Sequence, residues 1–264
     1  MTALADVQDL SFRYHRTAVR AAASPTDWVL RDINLSVGPG DALGIVGESG
    51  SGKSTLVRVM CGLLPVETGA VEFDGEPIGA WLRTDRHEFR KRNQLVFQSP
   101  ANSLDPRMRI RTSLAEPMKA TGRRRPSDDE VAAWLAEVGL GTEVLRRYPH
   151  QLSGGQLQRI ALARALSVGP RILYADEPTS ALDVSVQAQI LNLFIQLRAR
   201  LGLTLVMVSH DLAVISRLCE RIVVMKDGQI VESGSTVEVL RRPGTDYTAT
   251  LLDAAAAVSL RAGD

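Results

Sequence analysis

Short apolar runs recur along the chain, and each of them ends in polar or charged residues. They cover residues Ala42–Val46, Gln94–Gln98, Arg171–Glu177 and Thr204–Asp211. Runs this short predict strands, and the longer stretches at 54–60, 156–166 and 186–201 predict helices. Strands that alternate with helices are typical of an α/β fold with a mostly parallel sheet. The carboxyl ends of such strands meet at one edge, where α/β folds bind ligands.

Glycine-containing turns and a long helical stretch organise the rest of the chain. Hairpin turns between antiparallel strands are predicted at Gly38-Pro39-Gly40, Asp74-Gly75 and Asp227-Gly228. Residues from about 99 to 151 have helical patterns, including a helix that opens at 128–130 and carries apolar residues on one face. Beyond Arg241 a short tail follows, in which residues 253–257 suggest a frayed helix.

Residues 47–54, which follow the 42–46 strand, fit the pattern GxxxxGK[ST] and form a predicted phosphate loop. Its glycines allow a tight turn whose N–H groups point inward at a helix amino terminus, which favours anions. We therefore predict a bound triphosphate, with Lys53 on the β- and γ-phosphates, Ser54 on Mg²⁺ and Thr55 near the α-phosphate. A plain glycine-rich turn is the alternative, but the flanking strand and helix argue against it. The residues predicted to bind nucleotide are Gly47, Ser49, Gly50, Ser51, Gly52, Lys53, Ser54 and Thr55.

Two carboxylates end the apolar run at 171–177, which is the arrangement that accompanies a phosphate loop. Asp176 is predicted to hold Mg²⁺, directly or through water. Glu177 points to the other face of an extended chain, where a carboxylate can polarise an attacking water as general base. Solvated loop residues are the alternative for an isolated Asp-Glu pair, but the segment that follows, 178–183, favours the functional interpretation.

The segment Leu152-Ser153-Gly154-Gly155-Gln156, followed by a helix, distinguishes this chain from other phosphate-loop proteins. With the phosphate loop, it resembles the ATP-binding cassette family, the energy subunits of ABC transporters. The resemblance implies ATP and Mg²⁺ as ligands, and a RecA-like core sheet with an antiparallel β-subdomain and a helical subdomain. The ATPase domain would cover residues 1–240, with core and β-subdomain in 1–98 and 152–240, the helical subdomain in about 99–151, and a tail in 241–264.

The resemblance also implies roles for residues that are weak evidence alone. His210 would contact the γ-phosphate as a switch histidine, and Gln98 would touch Mg²⁺ or the attacking water. An early aromatic residue would stack on adenine; Tyr14 is assigned, with Phe12 as a competitor because strand alternation puts both on one face. One chain would supply two half-sites of a head-to-tail dimer, since five residues act on the nucleotide of the partner: Ser153, Gly154, Gly155, Gln156 and Asp183.

Segments at 97–108, 148–151, 180–189 and 247–252 narrow the resemblance to the peptide/nickel importer branch. This implies an ATP-hydrolysing subunit on the cytoplasmic face of the inner membrane, powering import of di- or oligopeptides or of nickel and other metal chelates. Its partners would be two transmembrane permease subunits, a second ATPase subunit (a homologue or a second copy) and, indirectly, an extracytoplasmic substrate-binding protein. The alternative is an accessory ATPase of a soluble enzyme complex, such as one that degrades phosphonates.

Chain length, composition and charge limit the number of domains and the kinds of partner to expect. One set of motifs in 264 residues indicates one ATPase unit, and no apolar run approaches the length of a membrane span. The first residues lack the basic and apolar regions of a signal peptide. The net charge is +1, and the basic stretch at 107–125 lacks stacking aromatic residues, so a solvated face or protein contact is expected there and no nucleic acid. Cys61 and Cys219 lie in apolar helical surroundings without a metal-binding spacing, so reduced structural thiols are expected rather than a disulfide or a metal cluster.

Overall fold

The computed structural model describes residues 3–14, 28–180 and 182–261. Its strands are β1 (Ala5–Phe12), β2 (Leu30–Val37), β3 (Ala42–Val46), β4 (Thr68–Phe73), β5 (Glu76–Pro77), β6 (Asn93–Val96), β7 (Ile172–Asp176), β8 (Thr204–Val208), β9 (Arg221–Lys226) and β10 (Gln229–Ser235). Its helices are α1 (Lys53–Met60), α2 (Ile78–Thr84), α3 (Arg86–Arg92), α4 (Pro100–Ser103), α5 (Ile110–Ala120), α6 (Asp128–Glu137), α7 (Gly154–Leu166), α8 (Val184–Leu201), α9 (Leu212–Leu218), α10 (Thr236–Arg241) and α11 (Asp246–Arg261), with 3₁₀ turns at Thr142–Arg146 and Pro149–Gln151.

The described chain divides into two compact units. Unit 1 comprises the described residues up to Arg83 together with those from Met207 onward, and unit 2 comprises Thr84–Val206. Strand β8 begins in unit 2 and ends in unit 1. The predicted α/β class is confirmed, because strands alternate with helices and both parallel and antiparallel pairs occur.

An antiparallel sheet in unit 1 has the strand order β2-β1-β4-β5. Ala5 on β1 lies opposite Val37 on β2 and Phe73 on β4. The hairpin predicted at Asp74-Gly75 is confirmed: it joins β4 to β5, with φ of 55° at Asp74 and 80° at Gly75. A two-residue turn with positive φ at both central residues has a backbone twist that matches the twist of the flanking strands. Asp and Gly adopt positive φ more readily than most residues, which explains the Asp-Gly pair.

A second group of strands in unit 1 has the order β10-β9-β3. Strands β9 and β10 are antiparallel across the predicted turn at Asp227-Gly228, and β3 runs parallel to β9. The hairpin predicted at Gly38-Pro39-Gly40 is wrong, because β2 pairs with β1 whereas β3 pairs with β9. All five residues of β3 are buried while β2 alternates between buried and exposed positions, so the two strands belong to different environments.

Unit 2 combines parallel strands with helices. Strands β6 and β7 run parallel, from Asn93 opposite Ile172 to Val96 opposite Ala175. Helix α7 packs against α4, α5, α6 and β6. The predicted helix near 128–130 is α6; Ser127 and Glu130 close its amino terminus with a reciprocal pair of side-chain to backbone hydrogen bonds.

Candidate functional site

The phosphate loop connects β3 to α1 in unit 1, and its backbone requires glycine. Three of its glycines have positive φ: 148° at Gly47, 84° at Gly50 and 99° at Gly52. A Cβ on residue 47 would lie 2.1 Å from the Met225 carbonyl oxygen, and one on residue 52 would lie 2.8 Å from that of Val29. Both distances are far below van der Waals contact. The neighbouring backbone therefore leaves no room for a side chain at residues 47 and 52.

Lys53, the first residue of α1, is buried and folds back over this loop. Its Nζ donates hydrogen bonds to the carbonyl oxygens of Gly47, at 2.8 Å, and Glu48, at 2.6 Å, and lies 3.4 Å from Oγ of Ser51. A cation thus lies at the head of a helix whose dipole also favours anions. This strand, glycine loop and helix, closed by a lysine, form the arrangement of phosphate-loop nucleotide-binding proteins.

Tyr14 lies beside this loop, whereas Phe12 lies in the core. The hydroxyl oxygens of Tyr14 and Thr55 are 3.2 Å apart. The Tyr14 side chain is 49% exposed and the Phe12 side chain only 2%, and the rings meet edge to face with centroids 5.1 Å apart. Of the two aromatic residues predicted as candidates for stacking on adenine, only Tyr14 is exposed enough for a ligand to contact its ring.

His210 follows β8 and is exposed to solvent. The preceding residue, Ser209, donates its backbone N–H to the Ile45 carbonyl oxygen over 3.2 Å, and Asp211 caps helix α9. His210 therefore projects from a short connection that is held at both ends, in the same unit as Lys53.

Unit 2 brings together two residues predicted to act in hydrolysis. The Gln98 side-chain amide donates to Oε2 of Glu177 over 2.9 Å. The two residues follow β6 and β7, whose parallel pairing places their carboxyl ends side by side. Glu177 has φ of 46°, a conformation that costs energy for a residue with a side chain and that recurs at functional sites. Asp176, one residue earlier, is 3% exposed.

Ser153 begins α7 with a capping box. Its Oγ accepts the N–H of Gln156 at 3.2 Å, and the Gln156 side chain accepts the N–H of Ser153 at 3.1 Å. A Cβ on Gly155 would lie 2.5 Å from a methyl carbon of Val186, so glycine permits close approach of α7 and α8. Ser153, Gly154 and Gln156 are thus placed at an exposed or half-exposed helix amino terminus.

Asp183 caps the neighbouring helix α8. Its carboxylate accepts the N–H of Val186 and the hydroxyl of Ser185, each at 2.9 Å. These hydrogen bonds, that from the Val186 backbone above all, lower the pKa of the exposed Asp183 carboxyl. The side chain is therefore a carboxylate at physiological pH.

The contacts of two side chains were not predicted from the sequence. Arg159 on α7 donates to the Val138 carbonyl oxygen over 2.6 Å and to the Gln189 side chain over 3.1 Å. Tyr247, on the tail helix α11, accepts the N–H of Glu48 in the phosphate loop over 3.2 Å. The sequence places Tyr247 199 residues from that loop, so no local pattern could have joined them.

None of the helices in the described part of the chain is long and apolar enough to cross a membrane. The described residues also contain no group of three or more His, Cys, Asp or Glu side chains arranged to hold a metal ion. Cys61 and Cys219 are both buried.

Several known proteins are similar to this chain. The ABC transporter family model matches residues 30–180. The oligopeptide transport ATP-binding protein OppF of Streptococcus mutans is 39% identical over 95% of this chain and 81% of its own. The glutathione import ATP-binding protein GsiA of Pectobacterium atrosepticum is 43% identical over 84% of this chain, which spans only 36% of that relative.

Among solved structures, the ATP-binding cassette MJ0796, described as a dimer in a post-hydrolysis state with ADP and Pi, superposes with a TM-score of 0.73. It is 29% identical over 88% of this chain and 98% of its own. The fold and the phosphate loop thus define a nucleotide-binding ATPase. This chain belongs to the ABC transporter family.

Proposed function

We propose that this chain binds and hydrolyses ATP to power a bacterial importer of peptides. The observation that carries hydrolysis is the Gln98–Glu177 hydrogen bond, since it holds a candidate general base in place after two paired strands. The names of the OppF and GsiA relatives refer to oligopeptide transport and glutathione import, which favours peptides over nickel as cargo. Both names describe transport proteins, so these relatives give no support to the alternative of an accessory ATPase in a soluble enzyme complex.

In this proposal the phosphate loop binds the triphosphate. Backbone N–H groups of the phosphate loop, other than that of Glu48, surround the phosphates. Lys53 moves its charge from the loop carbonyl oxygens to the β- and γ-phosphate oxygens. Thr55 contacts the α-phosphate. The exposed ring of Tyr14, adjacent to Thr55, stacks on adenine.

Hydrolysis requires a water aligned with the γ-phosphorus. Glu177 accepts a proton from that water as its oxygen attacks, and the β–γ bridging oxygen leaves with ADP. Gln98 orients the Glu177 carboxylate through their hydrogen bond. His210 donates a hydrogen bond to the γ-phosphate, where negative charge shifts during the reaction.

The residues proposed for Mg²⁺ suit that ion. A hydroxyl from Ser54, an amide oxygen from Gln98 and a carboxylate from Asp176 are hard oxygen donors, and Asp176 is buried at a strand end. Mg²⁺ takes few protein ligands and keeps water and phosphate oxygens, so a cluster of three carboxylates is not needed. When bound, the ion would neutralise charge on the phosphates.

We further propose a head-to-tail dimer in which each nucleotide lies between two chains. The amino termini of α7 and α8 carry the groups offered to the partner's nucleotide, and the solved MJ0796 relative is dimeric. The residues involved are Ser153, Gly154, Gly155, Gln156 and Asp183. The second ATPase is either a homologue or another copy of this chain.

The complete assembly would contain two transmembrane permease subunits, with this chain bound at the cytoplasmic face of the inner membrane and cargo delivered by an extracytoplasmic binding protein. Within the chain we propose a helical subdomain over about 99–151 and an ATPase domain over 1–240. Affinity purification of the tagged chain from gently solubilised membranes, followed by mass spectrometry, tests this assembly. Two permease subunits and a cassette partner are expected; recovery of soluble enzymes alone would overturn the transporter assignment.

A further inference from the structure

The tail helix α11 contacts the phosphate loop at one peptide. Tyr247 Oη accepts the N–H of Glu48 over 3.2 Å, and the Glu48 carbonyl oxygen accepts a hydrogen bond from Lys53 Nζ over 2.6 Å. Glu48 is therefore bonded through its N–H to the tail and through its C=O to the lysine that we place on the phosphates. A rotation of the backbone at Glu48 would disturb both hydrogen bonds.

Contacts on the surrounding elements fix the Tyr247 ring. Lys226 Nζ lies 4.7 Å from the ring centroid, a cation–π distance, and Lys226 is the last residue of β9. The same strand and its turn hold other points of the loop. The Met225 carbonyl oxygen lies against Gly47, and the Gly228 N–H donates to the Ser51 carbonyl oxygen over 3.2 Å.

Glu232 on β10 anchors the start of the tail helix. Its carboxylate accepts the Gly244 N–H at 2.7 Å and the Thr245 hydroxyl at 3.3 Å. The hydroxyl oxygens of Thr245 and Thr248 are 2.9 Å apart, and Thr248 is 2% exposed. Tyr247 thus lies on a helical turn that is held by hydrogen bonds, and these fix its position beside the phosphate loop.

The phenol of Tyr247 stays protonated at physiological pH. Partial burial raises its pKa, and the nearby carboxylates of Glu48 and Asp227 raise it further, while the Glu48 N–H opposes them. Its hydroxyl oxygen therefore remains a neutral acceptor for the Glu48 N–H over the pH range in which a cytosolic ATPase would operate.

We propose that Tyr247 is a positioning residue for ATP binding: from the tail, it holds the Glu48 peptide so that the phosphate loop is already shaped for the triphosphate. The proposal rests on the nucleotide site proposed above. A loop held in its binding conformation has less conformational entropy to lose when ATP binds, so loss of the hydrogen bond should weaken the affinity for ATP. The rate of the chemical step should not change, because Tyr247 contacts the loop and not the reacting atoms.

The test is titration of the full chain with a fluorescent ATP analogue carrying a methylanthraniloyl group, in the presence of Mg²⁺. Tyr247→Phe removes the hydroxyl and keeps the ring over Lys226, so we expect the dissociation constant to rise about 2- to 10-fold. Thr250→Ala is the matched control on the same helix, because its hydroxyl donates only to Asp246 within α11, and it should bind as the unsubstituted chain does. In the assembled transporter, Tyr247→Phe should raise KM for ATP by the same factor and leave kcat unchanged.

Further variants separate the possible failures. If Lys53→Ala still bound the analogue normally, the proposed nucleotide site would be wrong, whatever Tyr247 does. If Tyr247→Phe bound normally while Tyr247→Ala was weakened, the ring alone would matter and the positioning hydrogen bond would be refuted. Equal weakening by Tyr247→Phe and Thr250→Ala would also refute it, since both effects would then reflect general loosening of the tail.

Discussion

Gln98 and Glu177 are joined by a hydrogen bond of 2.9 Å between the side-chain amide and Oε2 of the carboxylate. They are 79 residues apart in the chain and meet because β6 and β7 pair in parallel immediately before them. The Ser180 hydroxyl also donates to the backbone carbonyl oxygen of Glu177, over 3.2 Å. The loop that carries the candidate general base is thus held through both its side chain and its backbone.

Glu177→Gln should lower steady-state ATP hydrolysis by the assembled transporter about 100-fold or more, because an amide cannot accept the proton of the attacking water. Binding of ATP should persist, since the phosphate loop is unchanged. Phosphate release and binding of the fluorescent analogue measure the two effects separately. Ser180→Ala is the control in the same loop and should change hydrolysis only a few-fold; equal loss in both variants would contradict the assignment.

Ser153→Ala and Ser127→Ala form a matched pair. Each serine caps a helix through a capping box, so each substitution should lower the free energy of unfolding by about 1 kcal/mol in urea titrations. Only Ser153→Ala should lower hydrolysis by the assembled transporter, about 10- to 100-fold, because that hydroxyl is proposed to reach the partner's triphosphate. Similar activity of the two variants would count against the dimer site.

Tyr14→Ala should weaken binding of ATP by about 10-fold or more, which is the range expected when a base loses an aromatic stacking partner. Tyr14→Phe keeps the ring and should bind nearly normally. Phe12→Leu serves as the contrasting variant: its ring is buried, so the free energy of unfolding should fall while affinity stays the same. The reverse pattern in titrations would assign adenine stacking to Phe12.

Gly47→Ala should be far more destabilising than Gly40→Ala. Both glycines have positive φ, but a Cβ on residue 47 would collide with the Met225 carbonyl oxygen, whereas nothing lies within 4 Å of one on residue 40. We expect a loss of about 1 kcal/mol for Gly40→Ala from strain alone and about 3 kcal/mol or more for Gly47→Ala. Urea unfolding of the two variants would measure the difference, and equal losses would show that the collision is relieved.

Stability should depend on pH through Glu232. Burial raises the pKa of its carboxyl, but hydrogen bonds from Thr248, Gly244 and Thr245 together lower it below the ordinary value. A carboxyl whose pKa is lower in the folded state stabilises the fold above its unfolded pKa, about 4.3, and loses that contribution as pH falls through the folded pKa. Glu232→Gln should therefore be less stable than the unsubstituted chain above about pH 5, and the difference should shrink on acidification. A difference that stays constant with pH in thermal unfolding would contradict this.

Local patterns determined much of this protein. The phosphate loop could be predicted because all its parts lie within one strand–loop–helix segment, and backbone glycines, Lys53 and the helix start act over a few residues. The capping boxes at Ser127 and Ser153 and the turns at Asp74-Gly75 and Asp227-Gly228 are equally local, since each depends on hydrogen bonds or φ angles of adjacent residues. Alternation of strands and helices was sufficient for the α/β class.

Tertiary structure decided what depends on pairing between distant strands. The 38–40 turn has the composition of a hairpin, yet it joins two sheets because the fully buried β3 is paired with β9 rather than with β2. Phe12 is buried and Tyr14 is exposed, a difference that strand alternation could not predict because it puts both residues on one face. The contact of Tyr247 with Glu48 depends on where the end of the chain packs, and no periodicity records that. Sequence by itself thus determined the secondary-structure elements and the chemical groups that each element carries, because these follow from neighbouring residues. Packing determined the contact partners of each group, because burial and hydrogen bonding join residues without regard to their separation along the chain.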